Sequence, residues 1–387
     1  MPSSWLGLCV FVVPERWAVP LSEPVAGIAR GLEVLEILRL DAPGRTAVAR
    51  RLGPRRRFPA AAGAPHTLVV ACDVPPVPGD GDAARRVARR IDAVAWHTTR
   101  RLWRDRPPVD DVVRYTVGPE AALDMLNVLN DPALRDRVLE RVETLGDVCT
   151  IPFPVIRMLG ADSPGFRARV ALVDHPQYGR SVCKIFRPGA MEFYRRELSA
   201  RTLLADQPLV PHLLDHGPNW LLTTEYTDDG AHRVRPLPGF GGIDQLRPWA
   251  TRALAEFART LHSRGLFMLD LSPQNLVSDP KAGLKVLDLE FVMPYTNFEV
   301  TPPPAQSAWT YRSLPAELAS NIDLPRLALT RGVGNSVFHP AVAGLPIERL
   351  LGPARRGDGP RRVATQLGWY AALATGGRLH TALRRGR

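Results

Sequence analysis

Asp270-Leu271-Ser272-Pro273-Gln274-Asn275 places a carboxylate and a carboxamide five residues apart in a polar stretch. Thirteen residues beyond Asn275, Asp288 stands just past the short apolar run Leu284-Lys285-Val286-Leu287, which reads as a strand. An aspartate at a strand end, facing an Asp/Asn loop, is one way to build a metal and phosphate site from a hairpin. Phosphoryl transfer needs few parts: a positive group on the phosphates, oxygen ligands for magnesium, and a carboxylate to orient the acceptor hydroxyl.

Outward from that loop, Leu246, Ala250, Leu254, Phe257 and Leu261 share one face of an expected helix, which runs into His262-Ser263-Arg264-Gly265. Upstream, Val155 to Leu159 and Arg169 to Val173 are expected as antiparallel strands around the turn Gly160-Ala161-Asp162-Ser163-Pro164-Gly165. A third strand, Arg180 to Phe186, carries Lys184 and ends at Arg187-Pro188-Gly189. A helix follows from Met191 to Leu204, and Trp220 to Tyr226 reads as another strand, closed by Asp228-Asp229-Gly230. Only Lys184, Lys281 and Lys285 are lysines among 50 lysine and arginine residues. A compact ammonium at Lys184 suits phosphate contact where a guanidinium would crowd.

The pattern Asp270-Leu271-x-x-x-Asn275, its interval to Asp288, the strand Val182-Cys183-Lys184-Ile185 and the stretch Leu261-His262-Ser263-Arg264-Gly265-Leu266 together resemble the protein-kinase-like superfamily. That superfamily includes eukaryotic-type protein kinases, bacterial lipopolysaccharide-core kinases and aminoglycoside or choline phosphotransferases. The resemblance implies an α+β, two-lobed protein-kinase-like domain over residues 146–387. Its N-lobe, an antiparallel sheet, would span about 151–228 and its mainly helical C-lobe about 229–387. It further implies a phosphotransferase that uses ATP and Mg2+ and moves the γ-phosphate to a hydroxyl acceptor whose identity the motifs leave open. By the same resemblance Asp270 is the catalytic base, and Asn275 and Asp288 hold magnesium. Lys184 contacts the α- and β-phosphates and Glu197 fixes Lys184, with Glu192 as the alternative. Gly160 and Gly165 bracket the phosphate-covering loop. Glu225 and Tyr226 stand either at the hinge that meets adenine or at a plain strand end.

The chain also departs from the family's pattern. Met268-Leu269 stand where protein kinases carry His-Arg, which removes the usual partner of a phosphorylated activation loop. Leu289-Glu290 replace the Phe-Gly that follows the metal-binding aspartate, and an acid there is more like the small-molecule phosphotransferases. Glu290 either assists the metal or faces solvent. A full G-x-G-x-x-G is absent, and Pro164 stiffens the turn that stands in its place. Pro315-Ala316-Glu317 is similar to the end of an activation segment. These departures favour a saccharide or lipid-linked acceptor. A Ser/Thr protein kinase is the rival acceptor class, and a pseudokinase acting as a binding scaffold is the rival to catalysis.

Residues 1–145 read as a separate mixed α/β region without a catalytic constellation. Trp5 to Val13 and Thr67 to Cys72 are expected strands, with an Arg-, Ala- and Pro-rich loop from Gly53 to Pro65 between them. Asp82 suits the cap of a helix with Val87, Ile91, Val94 and Leu102 near one face, and two more helices are expected over Pro119 to Leu129 and Pro132 to Leu145.

The chain's 387 residues allow two or three domains, and 45% hydrophobic with 23% charged residues suits a globular protein. The net charge of +11 is spread over small arginine clusters with no nucleic-acid module beside them, so nucleic acid is not an expected partner. The Arg-rich end, Val363 to Tyr370 and Leu373 to Leu383, suits helices packed on the C-lobe or a peripheral contact with an anionic membrane surface. Trp5 to Val13 is too short to span a bilayer, and the four cysteines show neither metal spacing nor a disulfide framework. A cytoplasmic location, membrane-peripheral at most, is the expectation.

Overall fold

A computed structural model describes residues 3–18, 21–53, 63–73, 83–102, 113–116, 118–159, 167–234, 245–268, 271–294, 337, 343–345, 355–369 and 371. The fold is α+β, with helices and antiparallel sheets in two compact units. The first comprises Met1–Glu192 with His216–Leu222, the second Phe193–Asp215 with Thr223–Arg387. Among the described residues no helix is long and apolar enough to cross a membrane.

The first unit begins with strands β1 (Leu8–Pro14), β2 (Glu33–Arg39), β3 (Pro65–Cys72) and β4 (Arg114–Tyr115), in the order β2-β3-β1-β4. Helices α1 (Ser22–Ala29), α2 (Ala42–Leu52), α3 (Ala83–Leu102), α4 (Pro119–Asn127) and α5 (Pro132–Val148) cover both faces. That double cover explains why every residue of β1 is buried. Strand alternation sends Leu8, Val10 and Val12 into one core with α4 and α5, and Cys9, Phe11 and Val13 into another with α1 and α3. Asp41 and Asp131 cap α2 and α5, accepting from the backbone of Gly44 (2.8 Å) and Leu134 (3.0 Å). The expected strands at Trp5–Val13 and Thr67–Cys72 thus fall on β1 and β3, with Ser3–Gly7 forming a 3-10 turn first. The expected α3 face is buried at Val87, Ile91, Val94 and Leu102; its cap Asp82 lies outside the described residues.

A second sheet follows, ordered β5-β6-β7-β9-β8, from β5 (Val155–Leu159), β6 (Ala168–His175), β7 (Gly179–Phe186), β8 (Leu213–His216) and β9 (Trp220–Thr224). Pairs β5–β6 and β6–β7 are antiparallel, with Lys184 opposite Val170 and Ile185 opposite Arg169. Strands β5 to β7 belong to the same unit as residues 1–150, a grouping that the change of sequence texture near Phe153 does not reveal. All four cysteines are free and buried. Burial pushes the Cys183 thiol up to about 12 and that of Cys149 to about 11, so neither is a reactive thiolate near neutral pH.

The second unit takes most of α6 (Met191–Leu203) and is built on α7 (Pro248–Ser263). The predicted apolar face of α7 is its buried face: Ala250 and Leu254 are 0% exposed, and Phe257 and Leu261 are within a few per cent of it. Against it lie three two-stranded ribbons. They are β10 (Arg233–Val234) with β11 (Gln245–Leu246), β12 (Leu266–Met268) with β15 (Val292–Pro294), and β13 (Leu276–Asp279) with β14 (Gly283–Val286). A further helix spans 358–369. Leu373 to Leu383 and Pro315 to Glu317 lie outside the described residues.

Arg264, from the stretch that ends α7, grips the end of α6. Its Nη1 donates to Leu203 O at 2.7 Å and to Asp206 Oδ1 at 2.9 Å, while Nη2 donates to Asp206 Oδ2. These bonds hold the Asp206 carboxyl at about 2, below its ordinary 3.8. A depressed folded-state value contributes stability that is complete above pH 3.8 and lost as pH falls toward 2. Wild type is therefore expected to be slightly more stable than Asp206→Asn at pH 6 and low salt, and the two should converge as pH falls through that window. Denaturant unfolding at several pH values measures this, and a difference that ignores pH would remove the pair as its cause. Both groups are solvent-exposed, so the effect is small and salt-sensitive.

Candidate active site

The antiparallel register of β13 and β14 pairs Leu276 with Val286 and Asp279 with Gly283. Asp279 Oδ1 accepts from the backbone of Lys281 and Ala282, and Gly283 takes φ 74°, so the turn is set by an acceptor and a glycine. At the open end the ladder continues one step, with Leu287 N donating to Asn275 O at 2.8 Å. The hairpin therefore delivers Asn275 beside Leu287, and Asp288 follows directly. The motif residues twelve and thirteen positions apart become neighbours through one ribbon. The 3-10 turn Pro273–Asn275, closed by Asn275 N on Ser272 O at 3.1 Å, sets the loop's approach.

Helix α6 meets the segment after β14 along one stripe, because positions four apart share a helix face. Phe193 packs edge-on against Phe291, ring centres 5.6 Å apart. One turn later Glu197 presents its carboxylate, and one turn after that Arg201 reaches across. Single oxygens of Glu197, Asp288 and Glu290 all lie within 4.8 Å of one another. Glu197 and Glu290 are 0% and 1% exposed, and Asp288 is half-buried. Glu290, left between metal and solvent by its sequence, faces the carboxylates.

Three carboxylates at such distances repel by about 3 kcal/mol per pair at an effective dielectric near ~20. Arg201 supplies part of the compensation. It is 4% exposed and donates Nε (3.1 Å) and Nη2 (2.6 Å) to Glu197 Oε1, Nη2 also to Leu287 O (2.7 Å) and Nη1 to Pro211 O (3.3 Å). Arg201 thus pins both Glu197 and the residue before Asp288. Sequence reading passed over it, although its place four residues after Glu197 was a readable signal.

Lys184 is half-buried on β7, its Nζ 4.9 Å from the Phe186 ring centre. It shares a strand face with Val182 and, across the ladder, Val170 and Leu172. In the second unit, Glu225 and Tyr226 follow the end of β9 and are half-buried. The Tyr226 hydroxyl accepts from His212 N at 3.3 Å, its ring lies under Lys285 Nζ at 5.1 Å, and Thr227 N donates to Asp279 Oδ2 at 2.9 Å. Asp270, Gly160 and Gly165 lie outside the described residues; Met268 and Leu271, which flank Asp270, are 2% and 4% exposed.

The donors gathered by the second unit are carboxylates with a carboxamide residue adjacent, the oxygen chemistry that suits magnesium and not the nitrogen and sulfur chemistry that suits zinc. No family model matches the chain, and no curated protein matches it.

Proposed function

We propose that the chain is an ATP- and magnesium-dependent phosphotransferase with a two-lobed protein-kinase-like arrangement. The observation that carries this reading is the meeting of Glu197, Asp288 and Glu290 within 4.8 Å beside the Asn275–Leu287 backbone bond. Residues drawn from a helix and from the end of a hairpin, some ninety positions apart in sequence, converge on one oxygen-rich centre.

In this reading Asp288 and Asn275 hold the metal, Glu290 adds a carboxylate to it, and Lys184 contacts the nucleotide phosphates. When bound, magnesium neutralises charge on the phosphate oxygens as it builds. Asp270 takes the proton of the acceptor hydroxyl. Arg201 keeps Glu197 and the Leu287 backbone fixed through the cycle. An acid at position 290 in place of the protein kinases' glycine, with an irregular phosphate-covering loop, supports a saccharide or lipid-linked hydroxyl over a protein side chain.

The test is turnover of labelled ATP with magnesium, for wild type beside Asp270→Ala and Lys184→Ala, over a panel of sugars, lipid-linked sugars and Ser/Thr peptides. Wild type is expected to transfer phosphate to a non-protein hydroxyl. Asp270→Ala should lose turnover while still binding nucleotide. Transfer to peptides alone would make the chain a protein kinase. Binding without turnover on any acceptor would point to a scaffold, and neither binding nor turnover would end the phosphotransferase reading.

A further inference from the structure

We propose that Glu33 and Arg187 are positioning residues for Lys184, so that residues 1–149 serve in cis as the backing that sets the lysine strand. This rests on the reading that Lys184 contacts nucleotide phosphates. Arg187 follows β7 directly, three residues after Lys184, and is 3% exposed. Its Nη1 donates to Glu33 Oε2 at 2.7 Å and to Leu32 O at 3.0 Å, and its Nη2 donates to Ala29 O. The same Glu33 oxygen accepts from Gly189 N at 3.0 Å. One carboxylate on β2 therefore holds the chain on both sides of Pro188. A Cβ at position 189 would stand 2.8 Å from Glu33 Oε2 and 2.9 Å from Arg187 Nη1, so a side chain there would push on the ends of the pair itself.

Two further ties act on the same strands. Asn219 Nδ2 donates to Val148 O at 2.9 Å and to Phe186 O at 3.1 Å, and Phe186 N donates to Asn219 O at 2.8 Å. Arg169, opposite Ile185 on β6, is 7% exposed and donates to Cys149 O at 3.4 Å. The odd-numbered face of β6 and β7 thus rests on residues 1–149, and alternation turns Lys184 to the other face. A group held this way loses its reach if the backing shifts by an ångström, which costs on the order of a hundredfold when positioning sets the rate.

The experiment uses the full chain with Glu33→Ala, Glu33→Gln, Arg187→Lys and, as a control, Asp131→Ala. The control weakens the first unit by uncapping α5 without touching Glu33 or Arg187. Two readouts are taken well below the melting temperature of each variant. The first is the KM for ATP, expected to rise about tenfold or more in Glu33→Ala and Arg187→Lys. Glu33→Gln keeps acceptors for Arg187 and Gly189 and should recover most of the loss; the acceptor KM and the control should not move. The second needs no turnover. Reductive 13C-methylation of the chain's three lysines, assigned with Lys184→Arg, should show the Lys184 signal displaced in Glu33→Ala, Lys281 unchanged, and wild-type spectra in the control. If wild type proves inactive, the phosphotransferase reading falls while the lysine spectra still decide this one. A Lys184 signal that Glu33→Ala moves no more than the control does would overturn the proposal.

Discussion

Replacing Arg201 with methionine is expected to destabilise the second unit by about 3–5 kcal/mol, because it leaves the fully buried Glu197 without the guanidinium that holds it. The loss is larger than for an isolated pair. Arg201 also bonds Leu287 O and Pro211 O, which then face a methionine that cannot donate. Arg201→Lys keeps the charge and forfeits the fork, so it should recover only part. Arg201→Met with Glu197→Leu should recover most, since a buried ion pair replaced by apolar side chains of similar volume is often neutral. Denaturant unfolding followed by probes in the second unit measures all three. A cost for Arg201→Met under 1 kcal/mol, the range of an exposed pair, would mean the four hydrogen bonds carry little.

Asp288→Asn is expected to lower magnesium-dependent turnover by about 10²–10³, the usual loss when one preorganised electrostatic group is removed from a reacting centre. The carboxamide preserves volume, so the hairpin bond from Leu287 N to Asn275 O should persist and the folded spectrum should be retained. The magnesium concentration giving half-maximal rate should rise as well. Metal titration of turnover beside far-UV circular dichroism tests this. Unchanged turnover would remove Asp288 from the metal and with it the assignment of the hairpin.

Much of the second sheet and of α7 was legible because their residues obey simple periods. Strand β7, buried at Ser181, Cys183 and Ile185 between less buried neighbours, and the α7 face at Ala250, Leu254, Phe257 and Leu261 fall where alternation and the 3.6-residue repeat put them. The missed elements lack such patterns. Strand β2 is an edge strand of mixed burial, with glutamates at 33 and 36 among its apolar residues, so neither period dominates. Helix α2 carries one fully buried side chain, Val48, and a Pro-Gly pair in its first turn. Strands β12 and β15 have three residues each, too few to show a period.

The candidate site divides the same way. Of the residues singled out by order and spacing, Glu197 and Asp288 come together, whereas Arg201 and the placing of Glu290 depend on a helix stripe meeting a distant hairpin. Lys285, 8% exposed, donates to Pro208 O at 2.5 Å and lies over Tyr226, so this chain also uses lysine structurally.

The two-core arrangement around β1 has a consequence for how its alignment is specified. In a sheet with one wet face, a slip of one residue is punished by polarity, because apolar side chains turn to water. Here both faces are dry, so a slipped β1 would still be wholly buried. The discrimination has to come from size: Phe11 fits among Ile28, Ile91 and Val113, and a slip would drive it into the layer now filled by Val10 and Val12. Thr116 adds a directional key, its hydroxyl accepting from Val10 N at 2.9 Å while its own N donates to Val10 O at 3.0 Å. The strand's register is thus written in volumes and one reciprocal hydrogen-bonded pair, an alphabet that hydropathy alone does not spell.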